Sequence, residues 1–302
     1  MNPGEIVLRE IVGNLQDELS QSGIMYRIFS RVKTTSSIKM KMEKKLEKYK
    51  RDNKKLQDML ALRITLYFTD DVEIVHTYLK SRPNYIDESV DERDTETFKP
   101  VRLNLVMRVP GTLSPHMQTA VSETDYSDLI DDTYEIQIRT ILSEGWHEVE
   151  HDLRYKYKDD WVDFLEESRL LNGILASLEN DEWAMISLFD RLAYAHYKRN
   201  EWDSMLRNKM RIHFASAKLS DDVKSFLTEH IEVAKQLFRA NRAVMLGKVL
   251  EKGFSFPLTY DTTLHLLNHI CVKNIELAKK EDPILKEELD KSYGIINMIS
   301  KC

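Results

Sequence analysis

The chain has 302 residues, 42% hydrophobic and 31% charged, which is long enough for one large domain or two smaller ones. A net charge of −6 excludes a protein that is basic throughout, so any basic site must be a local patch. Two cysteines make no disulfide framework, and we see neither a signal-peptide core nor an apolar run of membrane-spanning length. We therefore expect a cytoplasmic protein without a membrane partner.

The first half of the chain alternates between helix and strand patterns. Apolar residues at helical spacing predict a helix over Glu5–Leu19, and Gly23 follows where that helix can end. The next stretch, IMYRIFSRVK, alternates with period two and predicts a strand with a basic outer face. Further predicted elements are a basic helix (Ser37–Lys55), a strand (Ala61–Phe68), a helix from Thr69 or Asp70, a polar loop (Arg82–Thr97), a strand (Arg102–Val109) and a second loop (Val109–Asp132).

The second half is predicted to become helical. The strand TYEIQIR leads into the helix ILSEGWHEVEHDLRYKY, and after about residue 160 the helical spacing continues, with its clearest break at Gly253–Pro257. Because strands are interleaved with helices, the sequence predicts an α/β sheet followed by helices. One predicted buried helix face in the later part carries Leu264, Leu267, Ile270 and Cys271.

The strand TYEIQIRT is the most informative segment. Period two places Tyr134 with Ile136 and Ile138 on one face, and Glu135, Gln137 and Arg139 on the other. A row of carboxylate, amide and guanidinium is typical of a solvent-facing edge strand. It is equally typical of the floor of a polar cleft, in which the carboxylate binds a metal or takes a proton and the arginine holds an anion.

A second candidate site lies in RVKTTSSIKMK. Arg31 and Lys33 share a strand face, and Ser36 and Ser37 stand where a helix begins, which suits a polyphosphate or a simple N-cap. Asp58, just before the next strand, is either a cap or the partner of Glu135 in a Mg²⁺ site.

The segment HEVEH matches the zinc-protease pattern H-E-x-x-H. His147 and His151 would lie one turn apart on a helix, with Glu148 beside them. A catalytic zinc site also needs a third protein ligand, and the downstream candidates Glu166, Glu167 and Glu179 come with no supporting signature.

Read together, four ordered motifs resemble the RelA/SpoT synthetase domain, and most of all the small alarmone synthetases. They are R-x-K-x-x-x-S-I-x-x-K from Arg31, D-x-x-A-x-R-I from Asp58, E-I-Q-I-R-T from Glu135, and W-x-x-x-E-H-x-x-x-Y-K from Trp146. The resemblance covers roughly residues 1–200 and gives Glu150 and His151 places outside a zinc site. It implies a polymerase-β-like nucleotidyltransferase fold with a mixed β-sheet and flanking helices (1–200), followed by a helical C-terminal extension (201–302).

The resemblance also implies an activity, namely Mg²⁺-dependent transfer of the β,γ-pyrophosphate of ATP to the 3′-hydroxyl of GDP or GTP. It implies that Arg31 and Lys33 hold ATP, that Ser37 and Lys41 hold phosphates, and that Arg63 lies on the ATP side. It further implies that Asp58 binds Mg²⁺, and that Glu135 binds metal or activates the attacking hydroxyl. Four residues would line the acceptor side of the cleft: Gln137, Arg139, His151 and Lys156.

The acceptor loop departs from the family pattern. Where the family has a Gly-Tyr-Arg-Ser-x-His-like segment, this chain has Lys99 at the glycine, Pro100 at the tyrosine and Asn104 at the histidine. Phe98 and Tyr85 are nearby aromatic residues out of register. Arg102 and Asn104 share a strand face that either reads the acceptor or is simply exposed.

The altered loop leaves the acceptor open. One alternative is a guanine nucleotide that is held differently. The others are an adenine nucleotide, or the 3′ end of tRNA as in toxin-type relatives. A third interpretation is a catalytically inactive module that binds a nucleotide or a partner. For the C-terminal extension, the resemblance suggests homo-oligomer contacts, regulation or a neutralising partner protein.

Overall fold

The computed structural model describes residues 2–51, 55–91, 103–216 and 218–296. The chain forms two compact units. Unit 1 comprises Met1–Asp17, Tyr26–Val72 and Leu79–Asn180, and unit 2 comprises Glu18–Met25, Glu73–Tyr78 and Asp181–Cys302. The predicted boundary at residue 200, between a synthetase-like domain and a helical C-terminal extension, stays a prediction.

Unit 1 contains a five-stranded mixed sheet with strand order β1-β2-β5-β4-β3. The central strand β5 runs parallel to β2 and antiparallel to β4, and the outer pairs are antiparallel. The interpretation of TYEIQIRT as an edge strand is therefore wrong, because β5 is bonded on both sides. The strands are β1 (Tyr26–Val32), β2 (Leu60–Leu66), β3 (Tyr85–Val90), β4 (Leu103–Arg108) and β5 (Thr133–Thr140).

The two faces of this sheet differ in chemistry. Tyr134, Ile136 and Ile138 are at most 2% exposed and pair with the equally buried leucines and isoleucine of β2. The opposite face of β5 carries Glu135, Gln137 and Arg139, each half-buried. The predicted alternation is confirmed, and the apolar face forms the core of the unit.

Helices flank the sheet, so the predicted mixed sheet with flanking helices is confirmed. Thr140 caps α5, because its side chain accepts from the Ser143 amide while the Ser143 hydroxyl accepts from the Thr140 amide. This capping box fixes where β5 becomes helix. The first six helices are α1 (Pro3–Ser22), α2 (Thr35–Arg51), α3 (Asp70–Lys80), α4 (Ser114–Ser122), α5 (Ile141–Glu150) and α6 (Leu165–Lys198).

Both predicted loops were wrong in part. The polar stretch predicted as one loop contains β3, an edge strand paired with β4 alone, so its largely exposed side chains give no hydrophobic alternation. The second predicted loop contains α4, which starts with Pro115 in its first turn and buries only Met117 and Ala120. Two buried residues in nine are too few to produce a helical apolar period.

Unit 2 is helical, as predicted. The break at Gly253–Pro257 separates α10 from α11. Leu264 and Leu267 are buried as predicted, but Ile270 and Cys271 are only half-buried, because a π-helical turn from Asn268 to Val272 follows α11 and rotates the helix face. The later helices are α7 (Trp202–Met210), α8 (Asp221–Glu229), α9 (Ile231–Arg239), α10 (Arg242–Lys252), α11 (Tyr260–Leu267), α12 (Ile275–Ala278) and α13 (Pro283–Tyr293).

Long apolar helices are lacking in the described part of the chain. None of the helices there combines the length and the hydropathy that crossing a bilayer requires.

Replacing Gly23 by Ala is expected to destabilise unit 2 by about 2 kcal/mol. Gly23 has φ +72°, and an added Cβ would lie 2.9 Å from Leu258 and 3.2 Å from the His213 carbonyl oxygen. Urea denaturation of G23A measures the loss. The control is G13A, since Gly13 lies inside α1 with nothing within 4 Å of an added Cβ, and Ala there should be neutral or stabilising. Equal stabilities of G23A and wild type would contradict the prediction.

Candidate active site

Strand register assembles the polar face of unit 1. Arg31 pairs with Ala61, and Ala61 pairs with Glu135, so the guanidinium and the carboxylate flank one small residue in a single row. Directly opposite residues of neighbouring strands point to the same face. The next row across the sheet contains Phe29, Arg63, Gln137 and Asn104.

A cavity of about 1050 Å³ lies over this face. It is walled by the polar ends of β1, β2 and β5 and by the helical segment after β5. Six of the predicted site residues line it: Arg31, Arg63, Gln137, Arg139, His151 and Lys156.

Asp58 is held by two lysines at the edge of this face. Its Oδ2 lies 2.6 Å from the Lys33 Nζ and 2.8 Å from the Lys41 Nζ. Burial acts to raise the pKa of Asp58, but the hydrogen bonds from both lysines outweigh it, so the pKa lies below its usual range. The predicted residues Lys33, Lys41 and Asp58 are thus brought together.

Main-chain bonds place the Asp58 segment beside the start of β5. Leu56 forms a parallel bridge with Ile130, and the Thr133 hydroxyl donates to the Gln57 carbonyl. Lys33, next after Arg31 on its strand face, donates its amide to the Met59 carbonyl. The cluster around Asp58 therefore adjoins the row that contains Arg31 and Glu135.

The start of α2 supplies hydroxyl groups next to these lysines. The Thr34 Oγ1 accepts from the Ser37 amide at 3.3 Å and lies 2.9 Å from the Ser37 hydroxyl. Thr34 thus caps the 17-residue helix α2, two residues before Ser36 and three before Ser37. Ser37 lies in the first turn, where free amides and the helix dipole favour an anion.

The side chains along β5 are linked to Arg63. The Gln137 amide donates to the Glu135 Oε1 at 2.9 Å, and the Arg63 Nε donates to the Gln137 Oε1 at 3.2 Å. Glu135, Gln137 and Arg63 are thereby fixed relative to one another across two parallel strands.

Two carboxylates of α5 complete this network, and sequence reasoning did not assign either of them. The Arg63 Nη1 donates to Glu144 and Glu148, and the Arg139 Nη1 donates to Glu144 at 3.1 Å. The signal in the sequence was their spacing, because residues four apart share a helix face. Because α5 follows β5 directly, this helix face lies over the sheet and meets Arg63 and Arg139.

The two histidines of HEVEH lie in different environments. His147 is 8% exposed on α5, whereas His151 begins a π-helical turn, is half exposed, and has its Nδ1 2.8 Å from Asp152 Oδ1. Burial first, then the charges of Arg139 and Arg63, lower the pKa of His147 to about 4. Within the described ranges, no three His, Cys, Asp or Glu side chains are grouped to hold a metal, so the zinc interpretation has no third ligand there.

The acceptor loop is only partly described. Phe98, Lys99, Pro100 and Arg102 lie outside the described residues. Asn104 pairs in register with Gln137, so it shares the polar face of the sheet. Tyr85 pairs with Met107, which pairs with Tyr134, and therefore belongs to the opposite, apolar face.

The predicted magnesium residues fit a hard divalent cation. Asp58 Oδ1 is buried and makes no hydrogen bond to any described residue, while its Oδ2 is occupied by the lysines. Carboxylate oxygens are the ligands that Mg²⁺ prefers. Asp58 and Glu135 would provide them, and this assignment stays a prediction.

Comparison with known proteins identifies the family of this region. Residues 30–160 match the family described as the region found in RelA / SpoT proteins. The chain carries a RelA/SpoT region. All the predicted site residues, from Arg31 to Lys156, fall inside the RelA/SpoT match. The family resemblance predicted from four motifs is thereby confirmed.

One relative and two solved structures are similar to parts of this chain. GTP pyrophosphokinase YjbM of Bacillus subtilis (strain 168) is 32% identical over 102 residues, which is 34% of this chain and 44% of that protein. The chain thus matches less than half the length of this curated relative. Small alarmone synthetase 1 from Bacillus subtilis, bound to its product pppGpp, has a TM-score of 0.44 at 22% identity, covering 62% of this chain and 92% of that one. A GTP pyrophosphokinase family protein from Streptococcus pneumoniae has a TM-score of 0.44 at 25% identity, covering 61% and 89%.

Proposed function

We propose that this protein transfers the β,γ-pyrophosphate of ATP to the 3′-hydroxyl of a guanine nucleotide, with Mg²⁺. The observation that carries the proposal is the row of Arg31, Ala61 and Glu135 beside the cluster of Lys33, Lys41 and Asp58. Cations and carboxylates on and beside one sheet face, next to a cavity that Arg31 and Ala61 line, are what phosphoryl-type transfer requires, because its catalysis is mostly positioning and charge neutralisation. The match to the RelA/SpoT region supports the same reaction.

The donor triphosphate is assigned to the edge around α2. Lys33, Lys41 and Arg31 supply positive charge, and the first turn of α2 supplies amides and the Ser37 hydroxyl. Asp58 neutralises only part of this charge, so the edge keeps a net positive charge that favours phosphates. Lys33 and Lys41 are prepositioned by Asp58 before ATP arrives.

Arg63 is assigned to the ATP base. Its Nε and Nη1 already donate to Gln137, Glu144 and Glu148, so these groups are not available to phosphate oxygens. A guanidinium whose edge is held in this way still offers its flat face to an aromatic base.

Glu135 is assigned as the proton acceptor. Its Oε1 accepts from Gln137, which fixes the carboxylate, and the proton of the acceptor's 3′-hydroxyl passes to this group. The new bond joins the 3′ oxygen to the β-phosphorus of ATP. The bond from that phosphorus to the α–β bridging oxygen breaks, and AMP leaves. When bound by Asp58 and Glu135, Mg²⁺ would supply neutralisation of the phosphate charge.

The test is a labelled-transfer assay. With γ-labelled ATP, Mg²⁺ and separate pools of GDP, GTP, ATP and tRNA, we expect label on the guanine nucleotides, release of an equal amount of AMP, and loss of both when EDTA removes the metal. Label on tRNA alone would mean that the acceptor is the 3′ end of an RNA and not a guanine nucleotide. ATP binding without label on any acceptor would leave a nucleotide-binding module and overturn the proposed reaction.

A further inference from the structure

His147 is a buried polar side chain in the cavity wall that the proposed reaction does not use. It is 8% exposed and lies on α5 with its ring edge-on to Trp146, 5.4 Å between centroids. Its ring nitrogens make no hydrogen bond to any residue in the described parts of the chain. The ring nitrogens are not among the fully enclosed polar atoms that lack a partner, so they are open to the cavity that His147 lines, where a ligand can form a hydrogen bond with them.

The charges around His147 are balanced. The two positive charges of Arg63 and Arg139 are matched by the two negative charges of Glu144 and Glu148, with which they form direct ion pairs. The α2 edge differs, because there two lysines face one aspartate. An anionic phosphate gains more at the α2 edge, and the corner around His147 suits a polar but uncharged part of the ligand.

The imidazole in this corner is neutral. Burial and the two nearby arginines lower the pKa of His147 to about 4, so at pH 7 one ring nitrogen donates and the other accepts. The groups that face it from the packed elements are Arg63 from β2, Arg139 from β5, and Glu144 and Glu148 from its own helix. A neutral donor–acceptor pair matches the polar edge of a nucleobase, which also carries donors and acceptors without charge.

We propose that His147 is a specificity-determining residue of the cavity and hydrogen-bonds the edge of the adenine base of ATP while Arg63 covers its face. This inference rests on the proposed function and deepens it. It assigns a role to the histidine that completed H-E-x-x-H by sequence and that the family motifs leave unused. The base is then read in the charge-balanced corner and the triphosphate at the α2 edge.

The test separates base binding from phosphate binding. Calorimetric titrations with ATP and with inorganic tripolyphosphate are compared for wild type, H147F, H147Q and the control V149A, which changes a half-exposed residue of the same helix. We expect H147F to weaken ATP binding about ten-fold, because the base loses a buried hydrogen bond, and to leave tripolyphosphate binding unchanged. H147Q keeps a neutral donor and acceptor and should remain within about three-fold of wild type.

Two results would overturn the inference while the proposed function stands. In one, H147F binds ATP as wild type does and the transfer assay is unchanged. In the other, H147F weakens ATP and tripolyphosphate alike, and H147Q does not recover either, which assigns His147 to the phosphates or to packing. If the wild type itself binds neither ATP nor tripolyphosphate, the proposed function and this inference are both wrong.

Discussion

Replacing Glu135 by Gln should lower the rate of pyrophosphate transfer by about 10²- to 10⁴-fold while ATP binding stays within about three-fold of wild type. A positioned general base contributes about that factor, and the amide cannot take the proton of the acceptor hydroxyl. The substitution preserves the shape of the side chain and an oxygen that accepts from Gln137, so the contact that fixes position 135 survives. Transfer from labelled ATP and calorimetric ATP binding measure the two effects.

The control for this experiment is E123Q, a carboxylate-to-amide change at an exposed residue just after α4. It should transfer as the wild type does. If E135Q transfers label as fast as the wild type, Glu135 is neither the base nor a required metal ligand, and the proposed reaction on this sheet face is wrong. A parallel loss of ATP binding and transfer would instead make Glu135 a ground-state binding residue.

Replacing Asp58 by Asn should abolish transfer and lower the free energy of unfolding by about 2 kcal/mol. The change leaves the ammonium groups of Lys33 and Lys41 without their shared counter-charge. Breaking a buried ion pair costs about 3–5 kcal/mol, and the cost is smaller here because these side chains are 13–28% exposed and screened by water. It also turns one carboxylate oxygen into an amide NH2. With the remaining oxygen facing the two lysines, this NH2 takes the place of the buried Oδ1 assigned to Mg²⁺ and cannot bind a cation.

The effect of D58N on stability should depend on pH. Because the pKa of Asp58 is lowered in the folded protein, the unfolded chain binds more protons in acid, and the contribution of Asp58 rises with pH. It is fully present above the unfolded pKa of about 3.9 and is lost as the pH falls through the folded pKa. Urea denaturation should therefore separate wild type and D58N at pH 7 and bring them together in strong acid.

The control for D58N is D132N, an exposed aspartate at the approach to β5. It should have little effect on stability or transfer. A D58N variant that is as stable as wild type at pH 7 would contradict the role of the lysine pair. If transfer by D58N returns fully at higher Mg²⁺ concentration, the role of Asp58 in the reaction is only to raise the affinity for Mg²⁺.

The sequence predicted the sheet and the polar face of β5 because both follow from period two. Ile136 and Ile138 alternate with Glu135 and Gln137, and burying the first pair forces the second onto the other face. The motif spacing also placed Arg31, Lys33 and Asp58 at one site before any pairing was known. The alternating pattern alone fits an edge strand and the floor of a polar cleft equally well. The resemblance to the RelA/SpoT family is what favoured the cleft.

What the sequence did not predict depends on contacts between distant segments. The bonds of Arg63 to Glu144 and Glu148 exist only once α5 folds back over β2, and no local pattern encodes that approach. The edge strand β3 and the helix α4 were missed because neither buries enough apolar residues to show a period. The burial of His147 arises in the same way, since its neighbours Arg63 and Arg139 come from two strands.

The central position of β5 constrains how the protein can be made. β2 and β4 both precede β5 in the chain, yet β5 lies between them. Without β5, the pairs β1–β2 and β3–β4 would be separate, and β2 and β4 would each have an unpaired strand edge. Insertion of β5 closes both edges and delivers Glu135 in the same event. A chain that ended before β5 would therefore lack both the closed sheet and the row of Glu135, Gln137 and Arg139, and its unpaired strand edges would favour aggregation.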